Sequence, residues 1–174
     1  MTRIPPALLR ASTFATCAGE FMIEHTPPHL YPGERALLGL VVPPFQRPAI
    51  WEPTRQALFI ESLFLGLNST AIVVTDNEWR DDGRHLPKSS WIIDGQQRLT
   101  ALAAFLSGDL AIFGGMRRRD LDASERRRLE DAPLARIKVS HKTSEADLKT
   151  LYERLAFGGI AHTEVDRQRL QAGA

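Results

Sequence analysis

The sequence predicts a small α/β (α+β) domain with helices packed on a β-sheet. Three observations carry this. Short apolar or β-branched runs recur along the chain, at 36–42, 70–75, 91–93 and 136–140. Between them lie segments whose apolar residues repeat at helical spacing. The two kinds of segment alternate, which is the pattern of helices packed on a sheet.

Taken in order, residues 1–35 read as an N-terminal arm that docks on the domain. Pro5, Pro6, Pro27, Pro28 and Pro32 forbid long regular structure there. Phe14 to Ile23 is left as a short packed helix. The domain proper is read as 36–174. Residues 36–42, Ala-Leu-Leu-Gly-Leu-Val-Val, predict a buried strand ended by Pro43-Pro44. Residues 53–66 predict a helix, with Pro53 at its first position and a stripe of Ile60, Leu63, Phe64 and Leu67. Residues 70–75 predict a second strand. A polar, mobile loop spans 76–89, with a turn at Asp81-Asp82-Gly83-Arg84. Trp91 to Ile93 predicts a third strand, and 96–107 the helix after it. A further strand is expected at 109–113, a short charged helix at 123–129 and a strand at 136–140. Ser144 to Leu155 predicts another helix, and Thr163 caps a last one.

The composition is that of a soluble domain with a real core, 43% hydrophobic and 25% charged. A net charge of +1 gives no whole-molecule attraction to DNA or to an acidic membrane, so any nucleic-acid contact needs a local patch. The single cysteine, Cys17, excludes an intramolecular disulfide and a multi-cysteine zinc site. With no export signal and no apolar run of membrane-spanning length, the expected location is the cytoplasm.

Chemistry concentrates where the third strand meets its helix. Asp94, Gly95, Gln96, Gln97 and Arg98 occupy that junction. A helix N-terminus carries unpaired N–H groups and the positive end of the dipole, so it suits an anion, phosphate above all. Gly95 would let the backbone approach a ligand, and Arg98 supplies a full charge. A plain turn followed by the wet start of a surface helix accounts for the same residues. The strand before the junction tilts the balance, because ligands in α/β sheets favour the carboxyl ends of strands. A second cluster, Gln46 and Arg47 in the loop Phe45-Gln46-Arg47-Pro48, is stiffened by proline and suits a phosphate clamp. Trp51 beside it is read as a core plug. A third, Arg154 with Phe157-Gly158-Gly159, is sufficiently explained as a glycine helix cap. It gains a ligand-approaching role only beside the other two. The arginine runs 117–119 and 126–128 sit among five carboxylates and read as a solvated face. The five histidines lack metal-ligand spacing.

These segments occur in a recognisable order: Pro44-Phe45-Gln46-Arg47 with Trp51, Leu63 to Leu67, Ile93-Asp94-Gly95-Gln96-Gln97-Arg98-Leu99-Thr100-Ala101-Leu102, and Arg154 with Gly158-Gly159. Over about residues 36 to 170 the chain resembles the bacterial and phage domain family defined by the Asp-Gly-Gln-Gln-Arg motif. That family includes the N-terminal part of GmrSD-type restriction enzymes and of phosphorothioate-sensing antiphage proteins.

The resemblance implies a small mixed sheet flanked by helices, related to the ParB and sulfiredoxin folds. It also implies nucleoside triphosphate hydrolysis that regulates DNA cleavage by a separate nuclease domain. On that basis the amides of Gly95, Gln96 and Gln97, with Gly158 and Gly159, would cradle the phosphates. Arg98 and Arg47 would neutralise charge, Asp94 would hold Mg²⁺ or orient water, and Gln46 and Gln97 would position that water. Two departures stand out. Family members carry Arg-x-Asn-x-Gly-Gly, whereas Ala156 stands at the asparagine position here. The chain also ends at Ala174 without a His-Asn-His nuclease module. The expectation is therefore a weak Mg-dependent NTPase acting through a nuclease or defence partner, with contacts by the 76–89 loop and the 116–133 segment. The alternative is a non-catalytic module of the same fold that binds DNA, nucleotide or protein. A sulfiredoxin-like reductase is disfavoured because Cys17 lies far from the junction.

Overall fold

The computed structural model describes residues 7, 9–23, 28–68 and 70–157. Among the described residues, six strands and four α-helices follow one another: β1 Ala11–Phe14, β2 Arg35–Leu37, β3 Leu40–Val42, α1 Pro53–Phe64, β4 Ala71–Thr75, β5 Ile92–Asp94, α2 Gln96–Ser107, α3 Ala123–Glu130, β6 Ala135–Val139 and α4 Glu145–Phe157. A mixed four-stranded sheet runs β1-β6-β4-β5, and β2-β3 form a separate hairpin. The β6–β4 pairing is parallel and the two outer pairings are antiparallel. This is the small α/β fold that the sequence predicts.

The alternation of the central strands builds two cores. Ile72 and Val74 of β4 and Ile92 of β5 face α1 and α2, against Ile60, Leu63, Leu99, Leu102 and Phe105. Val73 and Ile93 point to the other face, with Trp91, Val139 and Leu148 of α4. Ile92 and Ile93 are both fully buried, so β5 is covered on both sides. That double burial is why Trp91-Ile92-Ile93 is apolar without alternation.

Helix ends follow local chemistry. Gly108 closes α2 at φ 86°, and Asp122 and Glu125 cap α3 reciprocally. The Ser144 hydroxyl accepts the amide of Asp147 at the start of α4.

Several elements differ from expectation. Residues 36–42 are a hairpin rather than one strand, because Leu38 and Gly39 adopt φ 49° and 74° and turn the chain back, as a two-residue type I′ turn does. The helix expected at 14–23 is reduced to a 3-10 turn, Ala18–Phe21, and is preceded by an edge strand, β1, that ends at Phe14. Residues 11–14 are all exposed, so no apolar alternation marks them, and the open edge of β6 selects the strand. Ala18 and Phe21 bury themselves in the main core, which anchors this segment. Residues 109–113 supply only a single bridge, Ile112 to Met116. The helix expected after Thr163 lies outside the described residues.

Loop 76–89 is not loose but stitched. Glu78 N donates to the Ser89 hydroxyl at 2.7 Å, Leu86 N to the Glu78 carbonyl at 3.0 Å, and Trp79 lies on the His85 ring at 3.8 Å. His85 is buried with its Nδ1 unpartnered, and burial, reinforced by His29, pushes its pKa below the ordinary 6.5. The neutral ring is therefore the native form. Stability should be full above pH 6.5 and fall below it, where the unfolded chain takes up the proton first. An NMR titration of His85 should give a midpoint below 6.5, and His85→Phe should flatten the acid limb of the stability curve.

Candidate functional site

The strand-to-helix junction opens into a cleft of about 580 Å³. Its floor is the end of β5 and the first turn of α2, from Ile93 to Arg98. One wall is the loop before α1, with Gln46, Arg47 and Trp51, continued by Arg55, Phe59 and Ser62 of α1. Leu67, Asn68 and Thr70, with Tyr152, Leu155 and Ala156 of α4, complete it. The two sequence clusters thus share one cavity, brought together because the loop after β3 packs against β5. Gly158 and Gly159 lie outside the described residues.

Gly95 adopts φ 106° and stands at the N-cap of α2 with no side chain capping the helix. The amides of Gln96, Gln97 and Arg98 therefore have no intrahelical acceptor and face the cleft end of the helix. A Cβ at Gly95 would come within 2.5 Å of Ile72 Cδ1. Glycine is thus required on the core side as well as by the turn, since it lets the helix start against β4.

Arg98 forms an ion pair with Asp94 one helical turn away, its side chain only 12% exposed. Asp94 is 39% exposed, and its other oxygen, Oδ1, has no partner among the described residues. Arg47 is exposed and makes no ion pair or hydrogen bond among the described residues, so its charge is available to a ligand.

Both glutamines are scaffold members. Gln46 is 5% exposed, and its Nε2 donates to the carbonyls of Ile92 and Ile93. It clamps the loop to β5. Gln97 Oε1 accepts from the amides of Ile50 and Trp51, both at 3.0 Å, and ties the start of α2 to the same loop. The Gln97 Nε2 and the Gln46 Oε1 make no hydrogen bond among the described residues.

Trp51 is not a core plug. It is half-buried in the cleft wall, edge-on to Phe59, with the Arg55 guanidinium 4.8 Å from its ring centre. Arg55 went unseen in the sequence because it reads as an ordinary exposed helix residue. Only its place one turn after the Trp51 loop brings it to the site. Ala156 lines the cleft and offers it no polar side chain.

Asp94 is the one carboxylate lining the cleft, and no group of three His, Cys, Asp or Glu side chains converges among the described residues. Magnesium is usually held by one or two carboxylates together with substrate phosphates. The donor set fits an ion shared with a phosphate ligand and does not fit one caged by protein alone. No helix among the described residues is long and apolar enough to cross a membrane.

A family model described as the GmrSD restriction endonuclease N-terminal domain matches residues 31–168. No curated protein and no solved structure matches the chain.

Proposed function

Since this chain belongs to the GmrSD restriction endonuclease N-terminal domain family, we propose that its cleft binds a nucleoside triphosphate and hydrolyses it slowly, as the control element of a restriction or defence system. The observation that carries the reading is the uncapped N-terminus of α2, flanked by Arg98 and the unpaired Arg47 at one end of a cavity of about 580 Å³. Free amides and two guanidiniums are the standard means of holding phosphate oxygens.

The amides of Gln96 and Gln97 and the Gln97 Nε2 donate to the phosphates. Arg47 and Arg98 neutralise their charge. Asp94, through Oδ1, would hold Mg²⁺ jointly with the phosphates. The ion's contribution when bound is to neutralise charge on the transferring phosphoryl group. Trp51 and Phe59, which line the same cleft, would give a nucleoside an aromatic wall.

A second reading, binding without turnover, draws on Ala156 and on the commitment of both glutamines to the scaffold. The Gln97 side-chain carbonyl, held by the amides of Ile50 and Trp51, is not left to orient an attacking water.

Calorimetry with triphosphate and Mg²⁺, run beside a phosphate-release assay, tests both readings. We expect saturable binding and turnover on the order of 10⁻⁴ to 10⁻² per second, the range of NTPases with an incomplete catalytic set. Binding with no release selects the second reading. No binding at all defeats both. Plasmid DNA should stay uncut, since the proposed output passes through a nuclease partner. Metal-dependent cleavage by the chain alone, abolished by Asp94→Ala, would make it a nuclease instead.

A further inference from the structure

We infer that a groove at the far end of α2 docks the phosphodiester backbone of duplex DNA. The groove, about 420 Å³, is lined by Leu106, Ser107, Gly108, Arg118, Arg119 and Arg126. Its three arginines are all exposed, and no carboxylate lines it.

This separation of charge is hidden in the sequence, where six arginines and five carboxylates mix within 116–133. None of the five carboxylates lines the groove, and three of them are engaged by backbone amides. Asp120 accepts the amide of Arg117, Asp122 that of Glu125, and Glu125 that of Asp122. Glu130 sits against Gly19, on the side of the arm. Asp109, next to the groove, accepts from the Ser107 hydroxyl. The arginines divide as well. Arg117 donates to the carbonyl of Gly108 and Arg118 to that of Leu106, which neutralises the negative end of α2. Arg128 turns to a different hollow, beside Phe64 and Phe113. Arg126 is left without an ion pair among the described residues, and Arg119 has only a 3.7 Å contact with Asp120.

The groove thus presents guanidinium forks on an open surface, the arrangement that binds phosphate oxygens without reading bases. A restriction-endonuclease family makes DNA the polyanion in question. The α2 helix, twelve residues long, spans about 18 Å. The groove and the nucleotide cleft therefore stand at opposite ends of one rigid helix, and DNA and triphosphate can bind together.

Fluorescence anisotropy with a labelled short duplex, titrated between about 50 and 200 mM salt, tests the proposal. Arg119→Glu with Arg126→Glu should weaken binding by about tenfold or more and make the log–log salt slope shallower by about two. Arg119→Gln with Arg126→Gln should act in the same direction with a smaller loss. A control of equal charge change, Arg84→Glu with Lys142→Glu, should leave affinity near that of the unaltered protein. Triphosphate binding should be unchanged in all three. The proposal is overturned if the control loses as much as the groove variants, or if the groove variants bind normally. It is also overturned if the unaltered protein does not bind the duplex, or if duplex RNA or polyglutamate competes as well as unlabelled DNA.

Discussion

Gly95→Ala should destabilise the folded protein by about 2–6 kcal/mol. Two costs combine. A non-glycine residue held at φ 106° bears about 1–3 kcal/mol of backbone strain. The new methyl also meets Ile72 Cδ1 at 2.5 Å, and overpacking of this kind costs about 1–3 kcal/mol. Ile72 is fully buried between α1 and α2, so it cannot swing aside into solvent. Urea denaturation gives the magnitude. Ile72→Val in the Gly95→Ala background removes the Cδ1 atom and should recover part of the loss, which separates the packing cost from the strain. A change within about 0.5 kcal/mol, the range of a neutral surface substitution, would show that the α2 start does not depend on glycine. Because the same residue sets the position of the phosphate-facing amides, triphosphate affinity should fall along with stability.

Arg98→Ala should weaken triphosphate binding by about 1.5–3 kcal/mol, or roughly 10- to 150-fold, the value of a charge-assisted phosphate contact. The fold should survive. The Asp94 partner is partly solvated at 39% exposure, so losing Arg98 leaves no fully buried charge, and the expected stability loss is about 1 kcal/mol or less. Arg98→Lys should restore a fraction of the affinity, since it returns the charge without the planar fork. Calorimetry of the three proteins, with a thermal melt of each, decides the matter. Unchanged affinity in a folded Arg98→Ala protein would remove Arg98 from the site. A collapsed melt would make its pairing with Asp94 structural.

The success of the sequence reading varied with the range of the forces involved. α2 begins at Gln96 and ends at Ser107, the limits expected for the helix after the Trp91 to Ile93 strand, because its apolar residues recur at helical spacing. The neighbouring run 36–42 was misjudged although it is equally apolar. Its fate depended on positive φ at Leu38 and Gly39, and leucine carries no signal for that conformation. The edge strand Ala11–Phe14 had no signal either, because its partner β6 lies more than a hundred residues away.

The site divides along the same line. The sequence by itself determined that Asp94 to Arg98 form a strand-to-helix junction with unpaired amides, because a glycine at a helix start and an apolar stripe after it are local properties. It also determined that Gln46 and Arg47 occupy a rigid loop after an apolar run. Only the tertiary structure decided which polar atoms are free. Gln46 and Gln97 read as water-positioning groups, yet each holds backbone about 46 residues away, Gln46 at Ile92 and Gln97 at Trp51. The fold alone joined Trp51, Arg55 and Ala156 to the cleft and kept the carboxylates of 116–133 out of the lining of the arginine groove. Hydrogen bonds and ion pairs between distant segments leave no period in the sequence. Their partners are chosen by packing once the sheet has brought those segments together.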